Sequence, residues 1–236
     1  MKFSLCVPMY NEHTVIEDTV RTLSAYLTEQ FGDDYELLLI DDGSTDGSAE
    51  LAEALHANNT RIIRYETNRG KGCAVRTGML AATGEIAMFL DSDLAYGTSV
   101  IRQGVDLLEQ QPGKDILIGS RVLHPEGYSG YLWVRKLASK AYILVLNLVG
   151  GLKQSDSQCG CKFFRKRARQ EIFSNMQTDG FAFDFEALLL AQKLGFSVAE
   201  MPVKIINHRE SKVRLFRDAF QMLGELMRMK RRIKRM

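Results

Sequence analysis

The chain has 236 residues, 45% of them hydrophobic and 25% charged, with a formal net charge of +2. These proportions suit one sizeable soluble domain with a core of its own. They exclude a disordered tail, a collagen-like fibre and a disulfide-stapled mini-protein.

The small net charge hides an asymmetry. Residues 1–120 carry 9 Lys+Arg against 19 Asp+Glu, whereas residues 121–236 carry 22 against 10. The acidic half suits a metal, and the basic half suits an anion such as phosphate, nucleic acid or an acidic membrane surface. Four cysteines (Cys6, Cys73, Cys159, Cys161) are too few for a disulfide scaffold and fit a reducing compartment. The Cys159–Cys161 pair lacks a second ligand pair and reads as packing rather than as a metal site. No segment reaches the roughly 18 apolar residues of a membrane span; the longest apolar stretch, 141–152, contains Asn147. The N-terminal run lacks the apolar length and cleavage site of a signal peptide and reads as a first strand.

In chain order, short apolar runs predict strands over 3–7, 36–40, 61–65, 86–90 and 115–118. Helix-length stretches separate them over 14–30, 47–57, 72–82 and 99–110, with Thr45-Asp46 placed to cap the second. This alternation predicts a parallel sheet with right-handed crossovers and helices on both faces. The second half is less regular. It predicts an apolar helix over 131–149, a short strand at Phe163-Phe164, a helix over 183–194, a strand over 197–203 and a long amphipathic helix over 213–235. The division is therefore one α/β domain, 1–212, with a basic helical appendage, 213–236.

In such a sheet, ligands bind beyond the carboxyl ends of the strands. The residues following the first five predicted strands are all polar: Pro8-Met9-Tyr10-Asn11-Glu12, Asp41-Asp42-Gly43-Ser44-Thr45-Asp46, Asn68-Arg69-Gly70-Lys71-Gly72, Asp91-Ser92-Asp93 and Gly119-Ser120-Arg121. Asp91 and Asp93 sit two apart, so in extended backbone they face one side. Two such carboxylates stay ionised cheaply beside a cation, and hard oxygen ligands suit Mg²⁺ or Mn²⁺ with positions left for diphosphate oxygens. A solvated turn is the bland alternative. One of Asp41 and Asp42 is placed to accept hydrogen bonds from a nucleoside, while Asp46 suits capping. The glycine-flanked helix start with Arg69 and Lys71 suits an anion, although it does not match a dinucleotide fingerprint.

These motifs, in this order and spacing, resemble family 2 glycosyltransferases with the GT-A fold. The polyprenyl-phosphate sugar synthases, dolichyl-phosphate mannose and glucose synthases among them, are the nearer group. The segments 156–164 (Asp-Ser-Gln-Cys-Gly-Cys-Lys-Phe-Phe), 181–186 (Phe-Ala-Phe-Asp-Phe-Glu) and Glu210-Ser211-Lys212-Val213 resemble that group's later motifs. The resemblance implies that Pro8, Tyr10, Glu12 and Asp41 frame the nucleoside. It implies that Asp91 and Asp93 hold a metal-diphosphate, with Asp93 favoured over Asp91 as the direct ligand. Lys71, read from its helix start as an anion site, is placed with the donor-binding residues, a helix cap with solvated charges being its bland alternative. Gln158 would sit near the donor sugar or the acceptor phosphate, and Arg121, Arg135 and Lys212 would bind phosphates. Ala95 stands where the mannose synthases carry Gln, and Ile206 and Arg209 where they carry Arg and Gly. This favours a UDP-sugar, of glucose or GlcNAc, over GDP-mannose.

The function expected is inverting transfer of a hexose to a polyprenyl phosphate. A phosphate monoester is mostly dianionic at neutral pH and requires no general base. Asp184 is accordingly assigned a positioning role beside a basic side chain, with direct catalysis by it as the lesser alternative. In the C-terminal helix, Phe216, Ala219, Phe220, Leu223, Leu226 and Met227 form one stripe amid basic residues. Such a helix can lie at a membrane interface, or pack on the domain or a second subunit, leaving a homodimer open. The expected location is the cytoplasm, at the inner face of a membrane, with no nucleic-acid partner. A glycosyltransferase using Asp184 or Glu186 as base toward a hydroxyl acceptor, and a non-catalytic adaptor, remain as rivals.

Overall fold

The computed structural model describes residues 2–130, 133, 143, 144, 147–207 and 226–236. Strands β1 (Phe3–Met9) and β2 (Tyr35–Asp41) are buried along their whole length. Continuous apolar runs of this kind arise where both sheet faces are covered. Between them, α1 (Ile16–Phe31) buries Ile16, Val20, Leu23 and Leu27, one helical stripe. There follow α2 (Ser48–Ala54), β3 (Thr60–Arg64), α3 (Lys71–Ala81), β4 (Ile86–Leu90), α4 (Ser99–Gln110) and β5 (Ile116–Ser120). The second half contributes β6 (Cys161–Arg165), α5 (Lys166–Asn175), α6 (Phe183–Leu194) and β7 (Val198–Pro202).

The seven strands form one sheet in the order β3-β2-β1-β4-β6-β5-β7. Pairings among β1 to β4 are parallel, as is β5 with β7, whereas β6 runs antiparallel to both β4 and β5. β4 and β5 are therefore not neighbours, and the short strand expected at Phe163-Phe164 is a five-residue wedge between them. One core lies against α1, α2 and α4, the other against α3, α5 and α6. Cys159 and Cys161 are fully buried in the first core. Helix α5 was not expected from sequence. Its inward face includes Arg169, which donates to the carbonyls of Gly84 and Ala82 at 3.0 and 2.6 Å.

Residues 226–235 are helical. Leu226, Met229 and Ile233 are buried in the second core, while Met227 is 53% exposed. Lys230 donates to the carbonyl of Val149 at 2.6 Å, and Arg232 pairs with the fully buried Glu186. This part of the C-terminal helix packs on its own domain. The stripe expected from Phe216 to Leu223 lies outside the described residues.

The long connection from β5 to β6 is pinned by polar contacts. The Arg121 guanidinium holds Asp156 through two hydrogen bonds, Nε to Oδ2 at 2.7 Å and Nη2 to Oδ1 at 2.9 Å, and stacks over Tyr128; the Arg121 backbone N–H adds a third bond to Asp156 at 3.1 Å. Ser155 bonds Ser120 and donates to Glu200. Burial pushes the Asp156 carboxyl up, but the Arg121 guanidinium outweighs it and holds the group below the usual carboxylate range. Its stabilising contribution is therefore complete above the unfolded-state pKa of about 4 and is lost as pH falls through the lower folded value. Asp156→Asn leaves Arg121 buried without its counter-charge and should cost about 3 kcal/mol at pH 7. Denaturant unfolding of both proteins at pH 7 and pH 3 should show the gap narrowing in acid; a gap independent of pH contradicts this linkage.

Candidate active site

The carboxyl ends of β1 and β2 are stitched into one rim. Asn11 adopts a left-handed conformation (φ 52°). Its N–H donates to Ser44 Oγ at 2.9 Å, and its Oδ1 accepts the N–H of Thr45. Glu12 N–H donates to Ser48 Oγ, and His13 N–H donates to Asp46 Oδ2. Asp46 Oδ1 also accepts the N–H of Ser48, at the start of α2. Pro8 is buried within β1, Glu12 is half-buried and Tyr10 is 41% exposed at the rim.

The two adjacent aspartates after β2 have different tasks. Asp41 is fully buried, accepts the N–H of Ser44 at 3.0 Å and lies 3.1 Å from Arg64 Nε. Asp42 holds the next loop, accepting hydrogen bonds from Asn68 Nδ2 and from the N–H groups of Arg69 and Gly70. Gly70 has φ 103°, and the carbonyl of Asp179 lies where its Cβ would be. That loop delivers Lys71 to the first turn of α3. The N–H groups of Gly72 and Cys73 are already bonded to Asp179 O, which leaves the Lys71 ammonium as the charge this helix end presents.

Lys71 Nζ lies 2.6 Å from Asp91 Oδ1, just past β4. The contact is not aligned as a hydrogen bond, and Asp91 Oδ1 is a buried oxygen without such a partner. Asp93, two residues on, accepts the N–H of Ala95 at 3.0 Å. Burial pulls Lys71 down, but Asp91, with Asp184 and Asp93 behind it, outweighs this and raises its pKa. Gly160 packs against the same carboxylate: a Cβ there would sit 2.9 Å from Asp91 Oδ2.

The antiparallel wedge completes the cluster. The β4–β6 register sets Lys162 opposite Phe89, one residue short of the strand end. Lys162 is 0% exposed. Its ammonium donates to Asp184 Oδ1 at 2.5 Å and to the carbonyl of Cys159 at 2.6 Å, and lies 5.6 Å from the Phe89 ring centre. Asp184 occupies the first turn of α6. Burial raises its pKa, against the pull of Lys162 and Lys71. Lys162 and Gly160 were given no role from sequence. The signal available for Lys162 was a charged residue inside the apolar run Cys-Lys-Phe-Phe.

Arg121 and Asp156 join this cluster through the 156–162 segment, since Asp156 also feels the charge of Lys162. Gln158 is half-buried, with Nε2 lacking a partner among the described residues. The structure thus gathers Lys71, Asp91, Asp93, Asp184 and Lys162, with Arg121 and Gln158 along the same segment. Arg135 and Lys212 lie outside the described residues. Among the described residues, no group of three or more His, Cys, Asp or Glu side chains forms a complete metal site. Asp91 and Asp93 still fit a divalent ion whose remaining ligands are phosphate oxygens and water, the arrangement Mg²⁺ favours.

Relatives extend over nearly the whole chain. A dolichyl-phosphate beta-glucosyltransferase of Dictyostelium discoideum is 31% identical over 241 residues, covering 96% of this chain and 73% of the relative. The Saccharomyces cerevisiae dolichyl-phosphate beta-glucosyltransferase is 29% identical, covering 94% and 72%. Among solved structures, glucosyl-3-phosphoglycerate synthase from Mycobacterium tuberculosis in complex with UDP superposes with a TM-score of 0.73 at 21% identity, covering 97% of this chain and 80% of that one. The same synthase has been solved with Mg²⁺ and UDP. That likeness supports the expected GT-A fold. The model of Glycosyl transferase family 2 matches residues 4–173. With that match spanning most of the chain, this protein belongs to glycosyl transferase family 2.

Proposed function

We propose that the enzyme transfers a hexose, with inversion, from a nucleotide-sugar to a polyprenyl phosphate at a membrane surface. The observation that carries this reading is the meeting of Asp91 and Asp93 with the half-buried cation Lys71 at the end of β4. Glucose as the sugar is supported by the relatives, which are named dolichyl-phosphate beta-glucosyltransferases. UDP as the carrier is supported by the UDP complex of the structural neighbour.

In this reading Pro8, Tyr10, Glu12 and Asp41 form the rim facing the nucleoside. Tyr10 is the accessible ring, and the buried Asp41 holds the rim in shape. Asp91 and Asp93 would hold Mg²⁺ or Mn²⁺, which when bound would neutralise charge on the leaving diphosphate. Lys71 adds a fixed cation beside them. A phosphate oxygen of the acceptor forms the bond to the anomeric carbon as the bond to the diphosphate oxygen breaks, and the electron pair leaves with the diphosphate. Arg121, stiffened by Asp156, draws the dianionic acceptor against the repulsion of the donor's phosphates. Arg135 and Lys212 are assigned to the same task.

In this reading the segment before β6 offers a membrane contact, while residues 226–235 of the C-terminal helix pack on the domain. Trp133, Leu144 and Leu148 are 75%, 59% and 72% exposed, and Leu144 and Leu148 line a groove of about 400 Å³ together with Asn147, Gln154 and Ser155. No helix among the described residues is long and apolar enough to cross a membrane, so contact in this reading is peripheral. Purified protein should co-sediment with anionic vesicles, and Leu148→Asp should weaken that; equal sedimentation of both proteins would remove this face from the reading.

Incubation with polyprenyl phosphate, Mg²⁺ and a panel of sugar nucleotides should yield a lipid-phosphate hexose, identified by mass, with UDP-glucose the best donor. Failure with every donor would reject the function. Asp91→Ala and Asp93→Ala should each lower turnover by about 100-fold or more while circular dichroism stays native. Chelation should stop the reaction and added Mn²⁺ should restore it; full activity in chelator would eliminate the metal.

A further inference from the structure

One buried charge is not used by the mechanism above. Lys162 has no exposed surface, yet it carries an ammonium into the active-site cluster. Its contacts are Asp184 Oδ1 at 2.5 Å, the Cys159 carbonyl at 2.6 Å and the face of Phe89. Asp184 is itself 7% exposed and close enough to Lys71 and Asp91 to feel both charges. It is therefore the one carboxylate of the described cluster that is tied to a fully buried cation.

We infer that Lys162 is a specificity-determining residue: by holding Asp184 in a buried ion pair, it prevents that carboxylate from accepting a proton from an acceptor. This rests on the proposed transfer to a phosphate. Transfer to a phosphate oxygen makes one bond to the anomeric carbon, breaks one to the diphosphate and moves no proton. Transfer to a hydroxyl or to water makes the same exchange and also releases a proton, which requires a base within hydrogen-bond reach. A carboxylate at this place with no cation would supply that base. It would also repel an acceptor that arrives as a dianion. The Lys162–Asp184 pair removes both effects, confining the enzyme to acceptors that are already ionised. Lys162 is a positioning residue in this scheme and touches neither substrate.

The test uses Lys162→Met, which keeps length and removes charge, together with Lys162→Met/Asp184→Asn, in which the whole pair becomes neutral. Losing one partner of a buried pair is costly, whereas neutralising both is often tolerated, so the double variant guards against misfolding of the single one. Three products are measured from UDP-glucose: transfer to a short polyprenyl phosphate, transfer to an alkyl glucoside hydroxyl, and hydrolysis. The single variant should raise hydroxyl transfer plus hydrolysis, relative to phosphate transfer, by about ten-fold or more, and the double variant should return that ratio to the wild-type value. A folded single variant with an unchanged ratio overturns the inference. So does a fall of about 1000-fold in phosphate transfer in the double variant, which would give Asp184 a direct part. A wild-type enzyme that glucosylates hydroxyls in preference to polyprenyl phosphate overturns this inference and the functional reading together, whereas wild-type phosphate transfer with either of the two failures above overturns this inference alone.

Discussion

Four side chains of alternating charge, Asp91, Lys71, Asp184 and Lys162, meet where β4 ends, and the surrounding fold exists to hold them there. Asp91 and Lys71 are 2.6 Å apart, and Lys162 and Asp184 are 2.5 Å apart. Charges this close in a partly dry site interact far more strongly than in water, and removing any one leaves its neighbour uncompensated. The four come from four elements: the loop after β4, the first turn of α3, the first turn of α6 and the wedge strand β6. No local segment can assemble them, so the site forms only when the sheet does.

That dependence explains which parts were legible in the sequence. The elements from β1 to α4 were readable because buried parallel strands give unbroken apolar runs, and the polar residues after each run marked the ligand edge. The insertion of β6 between β4 and β5 was not readable. Strand order is a property of long-range pairing, and two phenylalanines carry no information about which neighbours they meet. Helix α5 was missed for a different reason. Its inward face spends a position on Arg169, buried against the carbonyls of Ala82 and Gly84, so the stripe Ala168, Ile172, Phe173 is interrupted by charge. The C-terminal helix shows a third limit. An amphipathic stripe tells that one face is covered, but what covers it has to be observed. For Leu226, Met229 and Ile233 the cover is the protein's own core.

The site residues divide in the same way. Asp91 and Asp93 stood out because the two acids face one side directly after a buried strand, beside a second acidic pair at Asp41-Asp42. Asp41 and Asp42 were equally visible, but sequence could not show that Asp42 spends its oxygens on the Asn68–Gly70 loop. Arg121 was legible as a cation at a strand end, while its partner Asp156 lies 35 residues away and carried no pairwise signal. Lys162 was written in the sequence but given no role, because a lysine inside an apolar run has meaning only once its counter-charge is known. The buried ion pairs thus serve placement more than net stability, which such pairs seldom supply.

The central claim is that the carboxylates after β4, with Lys71 beside them, form the donor diphosphate site. Anomalous diffraction at the manganese edge, from crystals soaked with UDP and Mn²⁺, tests it most directly. A single strong peak beside Asp91 and Asp93, next to the diphosphate, is the expected result. Bound UDP with manganese elsewhere, or UDP seated away from this strand end, would contradict it.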